Sequence, residues 1–182
     1  MADRLVALLR GINVGRAKRV AMADLRQLVE GLGCRDVRTL LNSGNVVFSS
    51  PRLAPAEAAA RIEKGLATRL GVSSRVTVLT AAEFARVVAD NPLGRGVENP
   101  SRFLVAFLRD PASRRKLAPL EQQDWGGELL AVGKHAAYLW CPEGVIAGRL
   151  FEVVNGALGD AVTTRNWATV LKLHALAGGK HA

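Results

Sequence analysis

The sequence predicts an α+β chain built from two tandem ferredoxin-like (alpha-beta plait) βαββαβ units, each followed by an extra helix. Three observations predict it. The order strand, helix, hairpin, helix, strand, helix can be read twice along the chain. A segment dense in Pro, Gly and Asn (residues 91–100, NPLGRGVENP) separates the two passes. Apolar residues make up 49% of the 182, aromatics only 5% and charged residues 23%, which suits a mostly aliphatic core. Split βαβ units joined by a hairpin give an antiparallel sheet with two helices on one face. The alternative is one mixed sheet running through both halves. The expected units are residues 1–92 and 93–182, and the duplication rests on element order, since no residue-level repeat is visible.

Residues 4–9 (RLVALL) form an apolar run of strand length, as a central strand requires. Met22, Leu25, Leu28, Val29 and Leu32 recur at helical spacing up to Gly33. Val37, Thr39 and Leu41 alternate with polar residues, and Val46, Val47 and Phe48 follow the tip Asn42-Ser43-Gly44-Asn45, predicting a hairpin. Pro55 opens a helix with the stripe Ala59, Ile62, Leu66 and Leu70, and Gly71 closes it. Residues 75–79 (RVTVL) read as a strand, and Thr80 with Glu83 forms a capping box for the helix of Phe84, Val87 and Val88.

In the second pass, residues 102–108 (RFLVAFL) are a strand, and Asp110-Pro111 caps and opens a helix carrying Leu117 and Leu120. Residues 129–132 and 135–140 pair across Gly133-Lys134, placed as for a type II′ turn. Leu150, Val153, Val154 and Leu158 mark a helix ended by Gly159, and residues 161–163 a short strand. Trp167, Val170, Leu171 and His174 share one face of the last helix. Phe103, Val105 and Phe107 line one strand face and Tyr138 and Trp140 another, predicting an aromatic sheet face buried against the other half.

The opening apolar run is too short for a secretion signal or a membrane span, so a cytoplasmic chain with no membrane partner is expected. Cys34 and Cys141 stand singly, as two reduced thiols. His135, His174 and His181 lack metal-ligand spacing, and neither a metal nor another cofactor is expected. The formal charge is +9, from 25 basic and 16 acidic residues. Arginine supplies most of the basic residues, which base composition alone can produce, so the charge leaves a polyanion partner open.

The most distinctive stretch is residues 10–19 (RGINVGRAKR), which leaves a central strand and precedes a helix. Glycines let backbone amides approach an anion, and the helix adds positive potential at its start. The stretch is neither a Walker A loop nor GxGxxG. Ser43 lacks a nucleophile elbow, and Asn-Gly at a turn ordinarily supplies left-handed backbone. At Thr163-Thr164-Arg165-Asn166-Trp167, hydroxyl caps and a packed Trp167 are expected at the last helix.

The segments Leu8-Leu9-Arg10-Gly11-Ile12-Asn13-Val14-Gly15, Ser43-Gly44-Asn45-Val46-Val47-Phe48, Asn91-Pro92-Leu93 and Thr163-Thr164-Arg165-Asn166-Trp167 resemble a bacterial family catalogued as domain-of-unknown-function family 1697. The resemblance implies two alpha-beta-plait halves and no activity. Arg16 stands where a second glycine is usual in that family, and Ala168 where an asparagine is usual.

The expected function is a small-ligand or anion-binding module with its site at the junction of the halves, lined by Arg10, Asn13, Lys18, Arg165 and Asn166. The hairpin tip Asn42, Ser43 and Asn45 is expected at the opposite end of the sheet from the first loop, as a separate polar tip. An enzyme acting on a phosphorylated or nucleotide-like small molecule is the alternative, without a nucleophile, base or metal set in the sequence to carry it. A third reading is a nucleic-acid or protein-interaction module. Nucleic-acid binding is expected to be weak, salt-sensitive and sequence-independent. About four phosphate contacts would give log K a slope near −3.6 against log salt, at roughly −0.9 per contact. A monomer is favoured over a homodimer.

Overall fold

The computed structural model of the chain describes residues 3–94 and 98–178. His181 and residues 95–97 of the expected linker lie outside the described residues. Among the described residues the chain forms an α+β fold of two similar halves, each with a four-stranded antiparallel sheet. By internal contacts, residues up to Ala85 with those from Leu173 onward form unit 1, and Arg86–Lys172 forms unit 2.

Unit 1 contains β1 (Asp3–Leu9), α1 (Met22–Gly31), β2 (Arg35–Leu40), β3 (Asn45–Ser50), α2 (Pro55–Leu70) and β4 (Val76–Thr80). Its strand order, β2-β3-β1-β4, is that of the ferredoxin-like plait. β1 is central and antiparallel to both neighbours, with Val6 opposite Val47 on one side and Leu79 on the other. Its last five residues are fully buried, so a continuous apolar run is what this position demands. Leu5, Ala7, Leu9, Val46 and Phe48 face the helices and pack with Leu25, Leu28, Ile62 and Leu66. Gly71 ends α2 in left-handed backbone, φ 64°. The helix α3 (Ala81–Ala89) follows, and its capping box forms as expected: the Glu83 amide donates to Thr80 Oγ1 and the Thr80 amide to the Glu83 carboxylate.

Unit 2 contains β5 (Phe103–Leu108), α4 (Pro111–Glu121), β6 (Leu129–Val132), β7 (Ala136–Trp140), α5 (Leu150–Leu158), a 3-10 turn (Gly159–Ala161) and β8 (Val162–Asn166), then α6 (Trp167–Leu176). The order β6-β7-β5-β8 repeats that of unit 1. Leu104, Ala106, Ala137, Leu139 and Val162 face the helices. The opposite face carries Phe103, Val105, Phe107 and Tyr138, all buried. Phe103 lies against the Trp167 ring, and the Tyr138 hydroxyl donates to the Val87 carbonyl at 2.7 Å.

Three local expectations are corrected. The Gly133 amide donates to the Ala136 carbonyl, so the β6–β7 tip is Lys134-His135, and Gly133 is not left-handed, which rules out type II′. Its lack of a side chain serves space instead, since a Cβ there would come within 3.0 Å of the Ala136 oxygen. Leu41 leaves the strand and enters the turn at φ 58°. The buried residues of α6 are Thr169, Val170 and Leu173, while Trp167, Leu171 and His174 are only partly buried.

Candidate functional site

Because β1 runs antiparallel to β3, its C-terminal end lies beside the β2–β3 tip. The expectation that first loop and hairpin tip occupy opposite ends of the sheet is therefore wrong. Three connections of unit 1 meet at one end: residues 10–21, residues 41–44 and residues 71–75. Backbone bonds join them, Leu9 N–H to Gly44 O at 2.9 Å and Arg10 N–H to Arg75 O at 2.9 Å. The Ser74 hydroxyl adds a bond of 2.8 Å to the Arg10 carbonyl.

The long connection is an arch pinned at both feet. Ile12 and Val20 are buried in the unit 1 core. Asn13 braces the arch between them. Its Nδ2 donates to the Val20 carbonyl at 2.8 Å and the Asn42 carbonyl at 2.7 Å, and its Oδ1 accepts from the Val20 amide at 2.8 Å. The Asn13 amide closes the arch on the Lys18 carbonyl. Gly11, Asn13, Gly15 and Lys18 all take positive φ, between 50° and 64°. Glycine and asparagine tolerate that conformation; a lysine adopts it only where its surroundings impose it.

This brace holds residues 14–19 out in solvent, every one of them exposed. Among the described residues no ion pair engages Arg16, Lys18 or Arg19. Nearby Arg75, by contrast, is paired with Glu63 at 3.4 Å. Behind the arch, Ala21 occupies the N-cap position of α1 and supplies no side-chain cap, leaving the first amides open to an acceptor.

The remaining expected residues divide by role. Asn45 is fully buried and donates to the Leu40 carbonyl and to Ser43 Oγ, so it stabilises the turn from inside. Asn42 and Ser43 are exposed on the rim. Gly44 has φ 86°, and a Cβ there would lie 2.7 Å from the Leu9 Cβ and 2.8 Å from the Ile12 Cδ1. Arg165 and Asn166 belong to unit 2, at the end of β8, so neither unit by itself contains all five residues expected in one pocket. Asn166 Oδ1 accepts from the Thr169 amide, making Asn166 the N-cap of α6 in place of the expected threonines. Arg165 is buried, its Nη1 donating to the Thr164 carbonyl, and burial lowers its pKa to about 10.

Other perturbed groups lie elsewhere. Burial raises the Cys34 thiol, against a hydrogen bond with Ser50 and the charge of Arg61. Burial pushes Cys141 up to about 12, helped by the charge of Glu128 and a hydrogen bond with it. Both thiols are free, buried and held protonated at neutral pH, the opposite of an activated nucleophile. Among the described residues no group of three or more His, Cys, Asp or Glu side chains could hold a metal ion. Sequence reasoning missed Ser74 and the uncapped Ala21; the missing Ser, Thr, Asp or Asn before Met22 was a usable signal for the latter.

A family model described as Protein of unknown function (DUF1697) matches residues 2–138, and the chain belongs to that family. No curated protein matches the sequence. Among solved structures, the conserved bacterial protein SP0830 from Streptococcus pneumoniae is similar, with a TM-score of 0.80 and 24% identity over 97% of this chain and 99% of that one. That likeness shows the fold alone.

Proposed function

We propose that this chain is an anion-binding module whose contact is the loop end of unit 1. One observation carries the reading: a braced arch presents Arg16, Lys18 and Arg19, which no ion pair engages among the described residues, beside a helix start with no side-chain cap. At the equivalent place in unit 2, the Asp110 carboxylate accepts from the Ser113 amide and supplies the negative group from within the chain. Several cations on a braced backbone and open amides together favour a phosphate-type group over a single carboxylate.

In this reading Arg16, Lys18 and Arg19 contact the anion, Arg10 stands at the foot of the arch, and Asn42 and Ser43 form its rim. Asn13 is a positioning residue, since its amide group is engaged in holding the arch. Arg165 and Asn166 stay outside, one buried and the other engaged as a cap. Nucleic acid is a weak, salt-sensitive ligand of the same cations, because the sheet aromatics Phe103, Phe107 and Tyr138 are buried and cannot stack bases.

Calorimetric titration with pyrophosphate tests the reading. The wild-type chain is expected to bind, and R16A/K18A/R19A to bind at least tenfold more weakly, with D110N unchanged. Equal binding by the triple variant and the wild type would refute it.

A further inference from the structure

The loop end of unit 1 also carries an apolar component. Val14 and Leu41 are two of the four large hydrophobic side chains exposed among the described residues, at 72% and 50%. They are the chain neighbours of Asn13 and Asn42, which the 2.7 Å bond from Asn13 Nδ2 to the Asn42 carbonyl holds together. Two exposed aliphatic groups thus flank one hydrogen bond, with three cations on the same arch. Leu41 is held there in left-handed backbone, φ 58°, a conformation leucine rarely adopts.

We propose that this end docks on an anionic bilayer surface, with Val14 and Leu41 entering the headgroup region and Arg16, Lys18 and Arg19 facing anionic headgroups; this rests on the anion-binding reading above. Three features favour a lipid surface. The arch projects: residues 14–19 are all exposed, and a Cβ added at Gly11 or Gly15 would meet nothing within 4 Å. A projecting loop can reach a flat surface as well as a free anion. The apolar groups are aliphatic, and residues 10–21 and 41–44 contain no Phe, Tyr or Trp on which nucleobases would stack. The charge is complementary, since each Lys or Arg near an anionic leaflet strengthens binding by roughly fivefold. Surface docking requires no spanning segment, and no helix among the described residues is long and apolar enough to cross a membrane.

The test is vesicle co-sedimentation of the full chain with phosphatidylcholine alone and with phosphatidylcholine mixed with phosphatidylglycerol. Pyrophosphate calorimetry and a mixed-sequence oligonucleotide run in parallel. Binding is expected to the anionic vesicles only. V14S/L41N, two substitutions at exposed positions with asparagine tolerating the left-handed site, is expected to lose about tenfold in vesicle affinity and keep pyrophosphate binding. R16A/K18A/R19A is expected to lose about 100-fold on vesicles, and pyrophosphate binding as well. Pyrophosphate binding without vesicle binding would overturn the docking proposal and leave the anion reading standing. Vesicle binding insensitive to V14S/L41N, or tighter binding to the oligonucleotide through the same cations, would also overturn it. Binding to neither pyrophosphate nor vesicles would overturn both.

Discussion

The two units close their loop ends with the same pair of backbone bonds and then diverge. In unit 1, Leu9 N–H donates to Gly44 O and Arg10 N–H to Arg75 O; in unit 2, Leu108 N–H donates to His135 O and Arg109 N–H to Ala161 O. Leu9 thus corresponds to Leu108, and Arg10 to Arg109. From there unit 2 needs only Arg109 and Asp110 to reach α4, whose start the Asp110 carboxylate satisfies. Unit 1 spends residues 10–21 on a braced basic arch, with an alanine at the N-cap position of α1. The plait itself does not require the arch, as unit 2 demonstrates. What the arch adds is projecting positive charge at a helix start that has Asp24 in its first turn but no side-chain cap, whereas the start of α4 is capped by Asp110.

The largest expected effect lies at the paired turn positions. Gly44→Val forces a side chain into the Leu9–Ile12 contact on left-handed backbone and should cost about 3 kcal/mol. His135→Ala, at the position whose carbonyl plays the same role, should cost under about 1 kcal/mol, because that position already accepts a side chain. Urea unfolding of both variants measures the contrast, and equal losses would break the correspondence between the turns.

Asn13→Ala removes three hydrogen bonds of the brace and leaves part-buried backbone groups of Val20 unsatisfied. The expected cost is about 2 kcal/mol, with faster hydrogen exchange confined to the arch and the residue 41–44 turn. Undiminished protection there would mean that Ile12 and Val20 alone hold the arch.

The faces of the sheets away from the helices offer a second contrast. Val47 lies opposite Val6 in unit 1, and the chain's single tyrosine, Tyr138, lies opposite Val105 in unit 2. Burial, with the charge of Asp90 adding to it, pushes the Tyr138 phenol up to about 12. Its folded pKa is therefore above the unfolded value near 10, so its contribution to stability is complete below about pH 10 and lost as pH rises towards 12. Tyr138→Phe should cost about 1.5 kcal/mol at neutral pH by orphaning the Val87 carbonyl, and should remove this alkaline slope. Tyrosinate absorbance measures the titration directly. Ionisation near 10 in the folded chain would contradict the burial argument.

The smallest effects are the sharpest for the comparison between units. Asp110→Ala should cost about 1 kcal/mol through loss of the cap. Ala21→Asp copies the arrangement of unit 2 into unit 1 and should stabilise the chain by about 0.5–1 kcal/mol while weakening anion binding. Thermal melts with and without pyrophosphate read both halves of that exchange. Stabilisation without weakened binding would detach the helix start from the anion contact.

The fold was legible because its signals are local and redundant. The apolar run in β1, the Pro55 and Gly71 punctuation of α2, the Thr80–Glu83 box and the Asp110-Pro111 start all mean in the structure what they mean in sequence. The β6–β7 turn slipped by one residue because Gly133 is demanded by the nearby Ala136 oxygen and not by its own φ, and spacing alone does not show such a neighbour. The basic loop was visible as a motif, but Asn13 read as a ligand because its partners, Val20 and Asn42, are fixed only by the closed arch and the antiparallel register. The placement of loop and tip at one end was derivable from strand order, since antiparallel β1 and β3 put the end of one beside the start of the other. Arg165 and Asn166 drew attention by chemistry alone; a cap and a buried guanidinium use the same polar atoms as a ligand site.

In the proposed function the loop end of unit 1, and not its counterpart in unit 2, takes an anion. Amide chemical-shift mapping of the isotope-labelled chain during a pyrophosphate titration tests it most directly. Saturable shifts are expected at residues 11–24 and 41–44, including the open amides of Met22, Ala23 and Asp24, with residues 109–113 unmoved. Shifts centred on α4, or none at the start of α1, would contradict it.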